Sequence, residues 1–264
     1  MKKIFALVLS LLMTVLCFVG CGESKKIVVA EKESAGEEVA MSEAFADYEY
    51  VAVDKMTKAL MEVSAGTADA AVVDYVTSIG SIGEGTDYED LVVSGEGYGA
   101  EEYGIAFRKG SDITAKVNEV IKNLKGNGKL TEIASKYKLD ALITADAQFD
   151  AFKQAESNSD WEYIKNKGEL IIGITIFNPM NYYDDNGKLV GFETEFAEAV
   201  CAELGVKAKF QEINWDAKET ELAAKNIDCI WNGMTINEER KTNMSVTIPY
   251  MNNKQVMVVK DTAK

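Results

Sequence analysis

Short apolar runs alternate with amphipathic segments along most of the chain, a pattern typical of strands that alternate with helices. Residues 26–30 and 69–73 are apolar and β-rich, whereas residues 55–63 between them have the spacing of a helix with one buried face. Parallel strands need a crossover between them, and that crossover is usually a helix. The pattern therefore predicts an α/β fold.

The same criteria predict further elements. The predicted strands are 49–53, 103–108, 169–175, 207–213, 227–231 and 254–260, and the predicted helices are 113–124, 130–137, 193–204 and 217–224. Ligands of parallel sheets bind at the carboxyl ends of the strands. Ser34 and Asp74 each follow a predicted strand, so both are candidates for a binding site.

The segment 227–240, IDCIWNGMTINEER, combines an apolar strand with a possible anion-binding turn. The apolar run ends before Gly233, Asn237 is a candidate N-cap, and Arg240 falls in the first turn of the following helix. Free N–H groups at a helix start and a planar guanidinium both suit a carboxylate. A solvent-exposed arginine paired with a neighbouring glutamate explains this segment alone equally well.

Residues 187–200, GKLVGFETEFAEAV, followed by 227–240, resemble the first lobe of the polar amino-acid binding proteins of bacterial ABC importers. These proteins have the type II periplasmic-binding-protein fold, with two lobes and a ligand cleft between them. In that family the Gly-Phe-Glu segment comes near the N-terminus, whereas here it lies in the last third. The resemblance therefore implies a circularly permuted, two-lobed α/β fold.

The permutation implies a division of the chain into lobes. Lobe 2, the smaller, would comprise residues 27–102, and lobe 1 would comprise residues 103–264, with 140–160 linking the original termini of the family. The strand at 103–108 would join the lobes, and the strand at 254–260 would end near the hinge. A single covalent crossing between the lobes is therefore expected.

The resemblance also implies the residues that bind the charged groups of an amino acid. Arg240 matches the residue that binds the ligand carboxylate. Gly233 and Thr235 match positions that contact both charged groups. In lobe 2, Ser34 and Ala35 match the turn that donates N–H groups to the carboxylate.

The remaining candidates concern the ammonium group and the side chain of the ligand. Asp74 matches the aspartate that binds the ammonium, although an N-cap of the next helix is the simpler local explanation. Phe177 and Trp215 match positions that enclose the ligand side chain. Asn232 adjoins the carboxylate turn, and Glu31 matches a position that contacts the side chain from lobe 2.

Composition excludes several classes of function. The 264 residues contain no histidine, which excludes histidine-based catalytic triads and histidine-ligated zinc, and neither a cofactor nor a metal is expected. The formal net charge of −15 disfavours nucleic acid as a partner. A hydrophobic content of 47% is enough for buried cores.

The N-terminus has the features of a secretory signal. Two lysines precede an apolar run over residues 4–19, which predicts a signal peptide over 1–20. Residues 18–21 resemble a lipobox, which implies lipid attachment at Cys21; a secreted protein without the lipid is the alternative. Cys201 and Cys229 then remain, as two buried thiols or as one disulfide.

Together these features predict an extracytoplasmic, membrane-anchored, monomeric binding protein. It would capture a free polar or charged amino acid by hinge closure and deliver it to the permease of an ABC importer. The alternatives are a dehydratase-like enzyme on the same fold, with Glu31 as general acid or base, and the ligand-sensing domain of a receptor. A binding protein is expected rather than an enzyme.

Overall fold

The structure is a computed structural model that describes residues 25–144 and 159–263. The predicted signal peptide (1–20), the lipid site Cys21 and residues 145–158 of the predicted linker lie outside the described residues. Within the described ranges, no helix is both long and apolar enough to cross a membrane.

Strands and helices alternate along the described chain, which confirms the predicted α/β class. The strands are β1 (Lys26–Glu31), β2 (Tyr48–Val53), β3 (Ala70–Asp74), β4 (Leu91–Arg108), β5 (Glu169–Ile174), β6 (Tyr182–Tyr183), β7 (Leu189–Val190), β8 (Lys207–Glu212), β9 (Cys229–Thr235), β10 (Met244–Val246) and β11 (Met251–Lys260). The helices are α1 (Ala35–Ala40), α2 (Met56–Ala65), α3 (Tyr75–Ser81), α4 (Ile113–Gly126), α5 (Lys129–Lys136), α6 (Asp160–Lys167), α7 (Phe192–Leu204), α8 (Lys218–Ala223) and α9 (Glu238–Asn243).

The main sheet has nine strands, eight of them in the order β2-β1-β3-β11-β4-β9-β5-β8, with β10 also paired with β4. Strands β1, β2 and β3 are mutually parallel, and so are β5, β8 and β9. The strands between these two sets, β4 and β11, are antiparallel to their neighbours. The two parallel sets therefore lie at opposite ends of the sheet and are joined through β4 and β11.

Each parallel set has its own apolar core, which gives the predicted two lobes. Around β1–β3, hereafter lobe 2, Val29 and Val73 pack with Leu60 of α2. Around β5, β8 and β9, hereafter lobe 1, Phe196 of α7 packs edge-on against Trp231 with ring centroids 4.9 Å apart. The apolar faces of the helices close both cores.

The position of β11 contradicts the predicted lobe boundary. Val256 and Val258 of this strand lie in the lobe 2 core beside Val29, and β11 is hydrogen-bonded to β3. The prediction assigned all of 103–264 to lobe 1 and allowed one covalent crossing. The chain crosses twice, in β4 and in β11, because alternate apolar side chains of β11 fill a core that three strands leave open.

Strand β9 continues beyond the predicted break at Asn232 and Gly233. Gly233 has φ +55°, and the pairing of β9 with β4 shifts register opposite residues 104–106. A Cβ at Gly233 would lie 3.1 Å from Phe177 and 3.3 Å from Tyr103. Only glycine fits both the left-handed backbone and this close packing.

Cys201 and Cys229 are buried free thiols, so the alternative of a disulfide does not apply. Burial raises the pKa of Cys201 to about 12 and the pKa of Cys229 well above its usual range. Both thiols therefore remain protonated and act as small apolar side chains in the lobe 1 core.

Candidate functional site

A small cavity between the lobes is lined by every binding residue that the sequence predicts. Its lining includes Glu31, Ser34, Ala35, Asp74, Phe177, Trp215, Asn232, Gly233, Thr235 and Arg240, together with Met56 and Thr175. Segments far apart in sequence therefore meet at one place, at the carboxyl ends of β1, β3, β5 and β9.

Arg240 is buried at the start of α9, with 6% of its surface exposed. Asn237 caps this helix, as predicted, and its Oδ1 accepts from the N–H of Arg240 at 2.8 Å. Nη1 of Arg240 donates to the carbonyl oxygen of Thr235 at 2.7 Å. Burial lowers the pKa of the guanidinium. These contacts exclude the solvent-exposed arginine as an explanation of the segment, because the cation is held inside the cavity.

The carbonyl oxygen of Glu33 joins the two lobes across this cavity. It accepts from Trp215 Nε1 at 3.1 Å, from Lys218 Nζ at 3.2 Å and from Arg240 Nη2 at 3.5 Å. Glu33 has φ +60°, a left-handed conformation that costs about 1–2 kcal/mol in residues other than glycine. The lobes are therefore in contact, in a closed conformation. Neither Glu33 nor Lys218 is among the residues predicted from the sequence, because a contact to a backbone carbonyl oxygen leaves no sequence signal.

Ser34 and Ala35 lie in the predicted turn, but they differ in their free donors. The hydroxyl of Ser34 accepts from the N–H of Glu37 at 3.2 Å and donates to the carbonyl oxygen of Glu31 at 2.6 Å. The N–H of Ser34 also donates to that carbonyl, at 3.3 Å. Ala35 opens α1, and an N–H at that position has no partner within its own helix. Of the two predicted N–H donors, Ala35 is the one suited to a ligand carboxylate.

Asp74 is buried at the end of β3 and does not cap α3 with its side chain. Its Oδ1 instead accepts from Asn253 Nδ2 at 3.1 Å and from Gln255 Nε2. Burial and, secondly, the neighbouring Glu101 raise the pKa of Asp74 to about 7. A cation in the cavity would favour the ionised carboxylate, which is the environment that an ammonium group requires.

Glu31 is a second buried carboxyl group at the cavity, and its Oε1 has no hydrogen-bond partner. Burial first, and then Asp74, raise the pKa of Glu31 to about 8, whereas Lys218 opposes the rise. A buried carboxyl oxygen without a partner is costly unless a ligand supplies a donor. No group of acidic or cysteine side chains within the described residues is arranged to hold a metal ion.

Phe177 and Trp215 are the aromatic walls of the cavity, with 2% and 5% of their surfaces exposed. Lys218 Nζ lies 4.8 Å from the centre of the Trp215 ring, so this wall already faces one cation. Thr235 Oγ1 donates to Glu101 Oε2 at 2.8 Å. The N–H of Gly233 donates to the buried Glu193 at 2.8 Å, so it is not free for a ligand.

Asn232 lines the cavity, but its amide is engaged by neighbouring residues. Its Oδ1 accepts from the N–H and the hydroxyl of Thr175, at 3.0 and 2.6 Å. Its Nδ2 donates to the carbonyl oxygen of Thr175 and to Asn181 Oδ1, both at 2.9 Å. Asn232 therefore positions Thr175 at the end of β5. Thr175 is not among the residues predicted from the sequence, although its place at the end of the predicted strand 169–175 is a signal that could have found it.

Residues 170–264 match the family of bacterial extracellular solute-binding proteins, family 3. This segment comprises nearly all of β5 and every element from β6 to β11, and it supplies the cavity residues of lobe 1. This part of the chain is therefore similar to that family.

Curated relatives match over a similar length. The L-cystine-binding protein TcyJ of Escherichia coli is 38% identical over 88 residues, which cover 33% of this chain and 33% of the relative. The L-arginine-binding protein of Pseudomonas aeruginosa is 33% identical over 93 residues, which cover 35% of this chain and 36% of the relative. The matches thus span about a third of the length of these relatives.

A solved structure, the arginine-bound form of ArgBP from T. maritima, is also similar in sequence. It is 39% identical over 31% of this chain and 39% of that chain, with a TM-score of 0.30. A score this low carries no conclusion about the fold. The family match and the curated relatives show that part of this chain is similar to solute-binding proteins.

Proposed function

We propose that this protein captures a free amino acid with a polar or cationic side chain and delivers it to an ABC importer. The observation that carries the proposal is that Arg240 of lobe 1 and Asp74 of lobe 2 line one small cavity. An amino acid carries a carboxylate and an ammonium on one carbon, so it needs a cation and a carboxylate within a few ångströms of each other. Relatives named for binding L-cystine and L-arginine support a ligand of this class.

Closure of the lobes would complete the site. Lobe 1 supplies Arg240 and the aromatic walls, whereas lobe 2 supplies Asp74 and Ala35. A ligand that contacts both sides stabilises the closed form over the open form, because it binds the closed form more tightly. Lys32 Nζ and Asp216 Oδ2, 3.2 Å apart across the cleft, add only a little, because both are largely exposed.

Glu31 is the feature that favours a cationic or polar side chain. It lines a cavity whose walls are aromatic, and one of its buried carboxyl oxygens has no hydrogen-bond partner. A cationic group can form an ion pair with Glu31 and stack on Trp215, whereas an aliphatic side chain would leave the carboxyl group buried without a partner.

The proposed location is outside the cytoplasm, with a lipid anchor at Cys21 after removal of the signal peptide. The N-terminal apolar run and the lipobox-like residues 18–21 support this. A monomer docked to the permease of an importer is the proposed working form. Replacing Cys21 with Ala should abolish incorporation of labelled fatty acid into the protein, and continued incorporation would contradict the anchor at Cys21.

The circular permutation is also proposed, and the sheet supports it. Ala71 of β3 is paired with Val29 of β1 on one side and with Val258 of β11 on the other. Neighbouring strands lie about 4.8 Å apart, and only β3 separates β1 from β11. The start of β1 and the end of β11 are therefore about 10 Å apart, at the same end of the strands. A short loop would therefore join them, which is the geometry that circular permutation requires.

The alternatives receive less support. The curated relatives above are named as binding proteins, and no observation favours a dehydratase-like enzyme or a sensor over a binding protein. If Glu31 were a general acid or base, a bound substrate would be converted. Incubation with each ligand followed by mass spectrometry should return the ligand unchanged.

The test of the proposed function is a thermal-shift panel of the twenty amino acids, cystine and polyamines, followed by calorimetry. A ligand at a hundred times its Kd stabilises the folded protein by about 2.7 kcal/mol, which is readily detected. We expect a shift with at least one polar or cationic amino acid and a smaller shift with its deaminated analogue. The absence of any shift across the panel would contradict the proposal.

A further inference from the structure

The two strands that cross between the lobes carry a polar cluster that touches the site. Glu101 of β4 lies opposite Asn253 of β11 in the sheet, and Gln255 lies two residues further along β11. The cluster links Asp74 of lobe 2 to Thr235 of lobe 1. None of these three side chains is among the site residues predicted from the sequence.

The hydrogen bonds bring two carboxyl groups together. Asn253 Nδ2 donates to Asp74 Oδ1 and to Glu101 Oε2, both at 3.1 Å. Gln255 Nε2 donates to the same two oxygens, and its distance to Glu101 is 3.2 Å. Two neutral amides thus bridge Asp74 and Glu101. Amide donors soften the repulsion between two carboxylates, but they supply no positive charge.

The cluster also sets the orientation of the Thr235 hydroxyl. Because this hydroxyl donates its proton to Glu101, its lone pairs are left to accept hydrogen bonds from elsewhere. An ammonium group, which only donates, is matched by such an acceptor beside a carboxylate. In the same cavity, the unpartnered Oε1 of Glu31 also lacks a donor. Asp74, Thr235 and Glu31 therefore supply hydrogen-bond acceptors to the same cavity.

Resting on the proposed function of this site, we propose that Glu101 is a second acidic residue of the ammonium subsite and that Asp74 exchanges a proton for the ammonium group of the ligand. The proton passes from the Asp74 carboxyl group to solvent as the ammonium enters. No other bond is made or broken. Glu101 acts through the electrostatic effect of its carboxylate on Asp74 and through the hydrogen bond that orients the Thr235 hydroxyl. It is therefore a positioning residue.

The sign of the pH effect follows from the groups around Asp74. The titratable and charged groups that interact with the Asp74 carboxyl group are Glu31, Glu101, Tyr103, Glu193, Arg240 and Tyr250. Burial and Glu101 raise its pKa to about 7, and an ammonium nearby would lower it. Below pH 7 binding must therefore expel a proton, so Kd rises by about tenfold per pH unit as the pH falls. Above pH 7 the contribution of Asp74 disappears, whereas a cationic side chain that pairs with Glu31, whose pKa is about 8, adds a separate proton release that begins nearer pH 8.

The experiment compares the wild-type protein with Glu101→Gln and with the matched control Glu102→Gln, using L-arginine as the probe. Glu102 is the next residue on β4 and is exposed. Calorimetry from pH 5 to pH 8.5 gives Kd, and buffers of different ionisation enthalpy give the number of protons released. In Glu101→Gln, we expect binding to weaken by about tenfold at pH 8 and the acid limb to begin at lower pH. Glu102→Gln should match the wild type.

A merely structural role for Glu101 predicts an equal loss of affinity at every pH, and that result would overturn the proposal. A second readout needs no ligand. The ¹³C signal of the Asp74 carboxyl group, assigned by its loss in Asp74→Asn, should titrate near pH 7 in the wild type and lower in Glu101→Gln. An unchanged titration would also overturn the proposal. If L-arginine does not bind, the proposed cationic ligand is wrong, and the carboxyl titration alone decides the role of Glu101.

Discussion

Arg240 offers the sharpest test of the site. Replacing it with Ala removes the guanidinium but leaves the cap of α9 intact, because Asn237 bonds to the backbone N–H of residue 240. Replacing it with Lys keeps the charge but removes the planar fork that matches a carboxylate. The two variants therefore separate the contribution of charge from that of geometry.

The expected magnitude follows from burial. An exposed ion pair contributes at most about 1 kcal/mol, but Arg240 is only 6% exposed. Losing one partner of a buried, hydrogen-bonded charge pair costs about 2–5 kcal/mol. We therefore expect Kd for the best ligand to rise by about 30-fold to several thousand-fold in Arg240→Ala. Arg240→Lys should fall between this variant and the wild type.

Isothermal titration calorimetry measures these constants, and thermal unfolding checks that each variant is folded. The matched control is Lys241→Ala, which removes the next cation on the same helix, where Lys241 pairs with the exposed Glu238. The control should bind like the wild type. If Arg240→Ala keeps the wild-type Kd while folded, Arg240 does not bind the ligand carboxylate, and the assignment is wrong.

Three further predictions concern the lobe 2 carboxyl groups and the connectivity. Asp74→Asn should weaken amino acids more than their deaminated analogues in calorimetry; equal losses would make Asp74 structural. Glu31→Gln should reduce affinity for arginine more than for glutamine, and the reverse order would contradict a cationic side chain beside Glu31. Joining Ala263 to Lys25 through a short loop and opening the chain within 145–158 should leave affinity and small-angle scattering unchanged, because both crossing strands remain. A change in Kd of more than about tenfold would indicate a mechanical role for the present connectivity.

Much of the local structure follows from the sequence by itself. Apolar runs bounded by polar turns identified β1, β3 and β5, since a buried parallel strand needs a continuous apolar stretch. Asn237 was identified as a cap because a short polar side chain before a helix satisfies a free N–H. The ten candidate cavity residues came from motif resemblance, and the structure brings them together in one cavity.

Contacts between distant segments were decided only by the tertiary structure. Strand β4 begins at Leu91, well before the predicted start, because its first part pairs with β11 rather than showing a pattern of its own. The place of β11 in lobe 2 likewise depends on its pairing with the side of β3 that β1 does not occupy, and no local sequence pattern indicates that pairing. Glu101, Asn253 and the carbonyl oxygen of Glu33 act through partners more than 130 residues away. Sequence periodicity reports which face of an element is buried, but the partner across that face is chosen by packing of the whole chain.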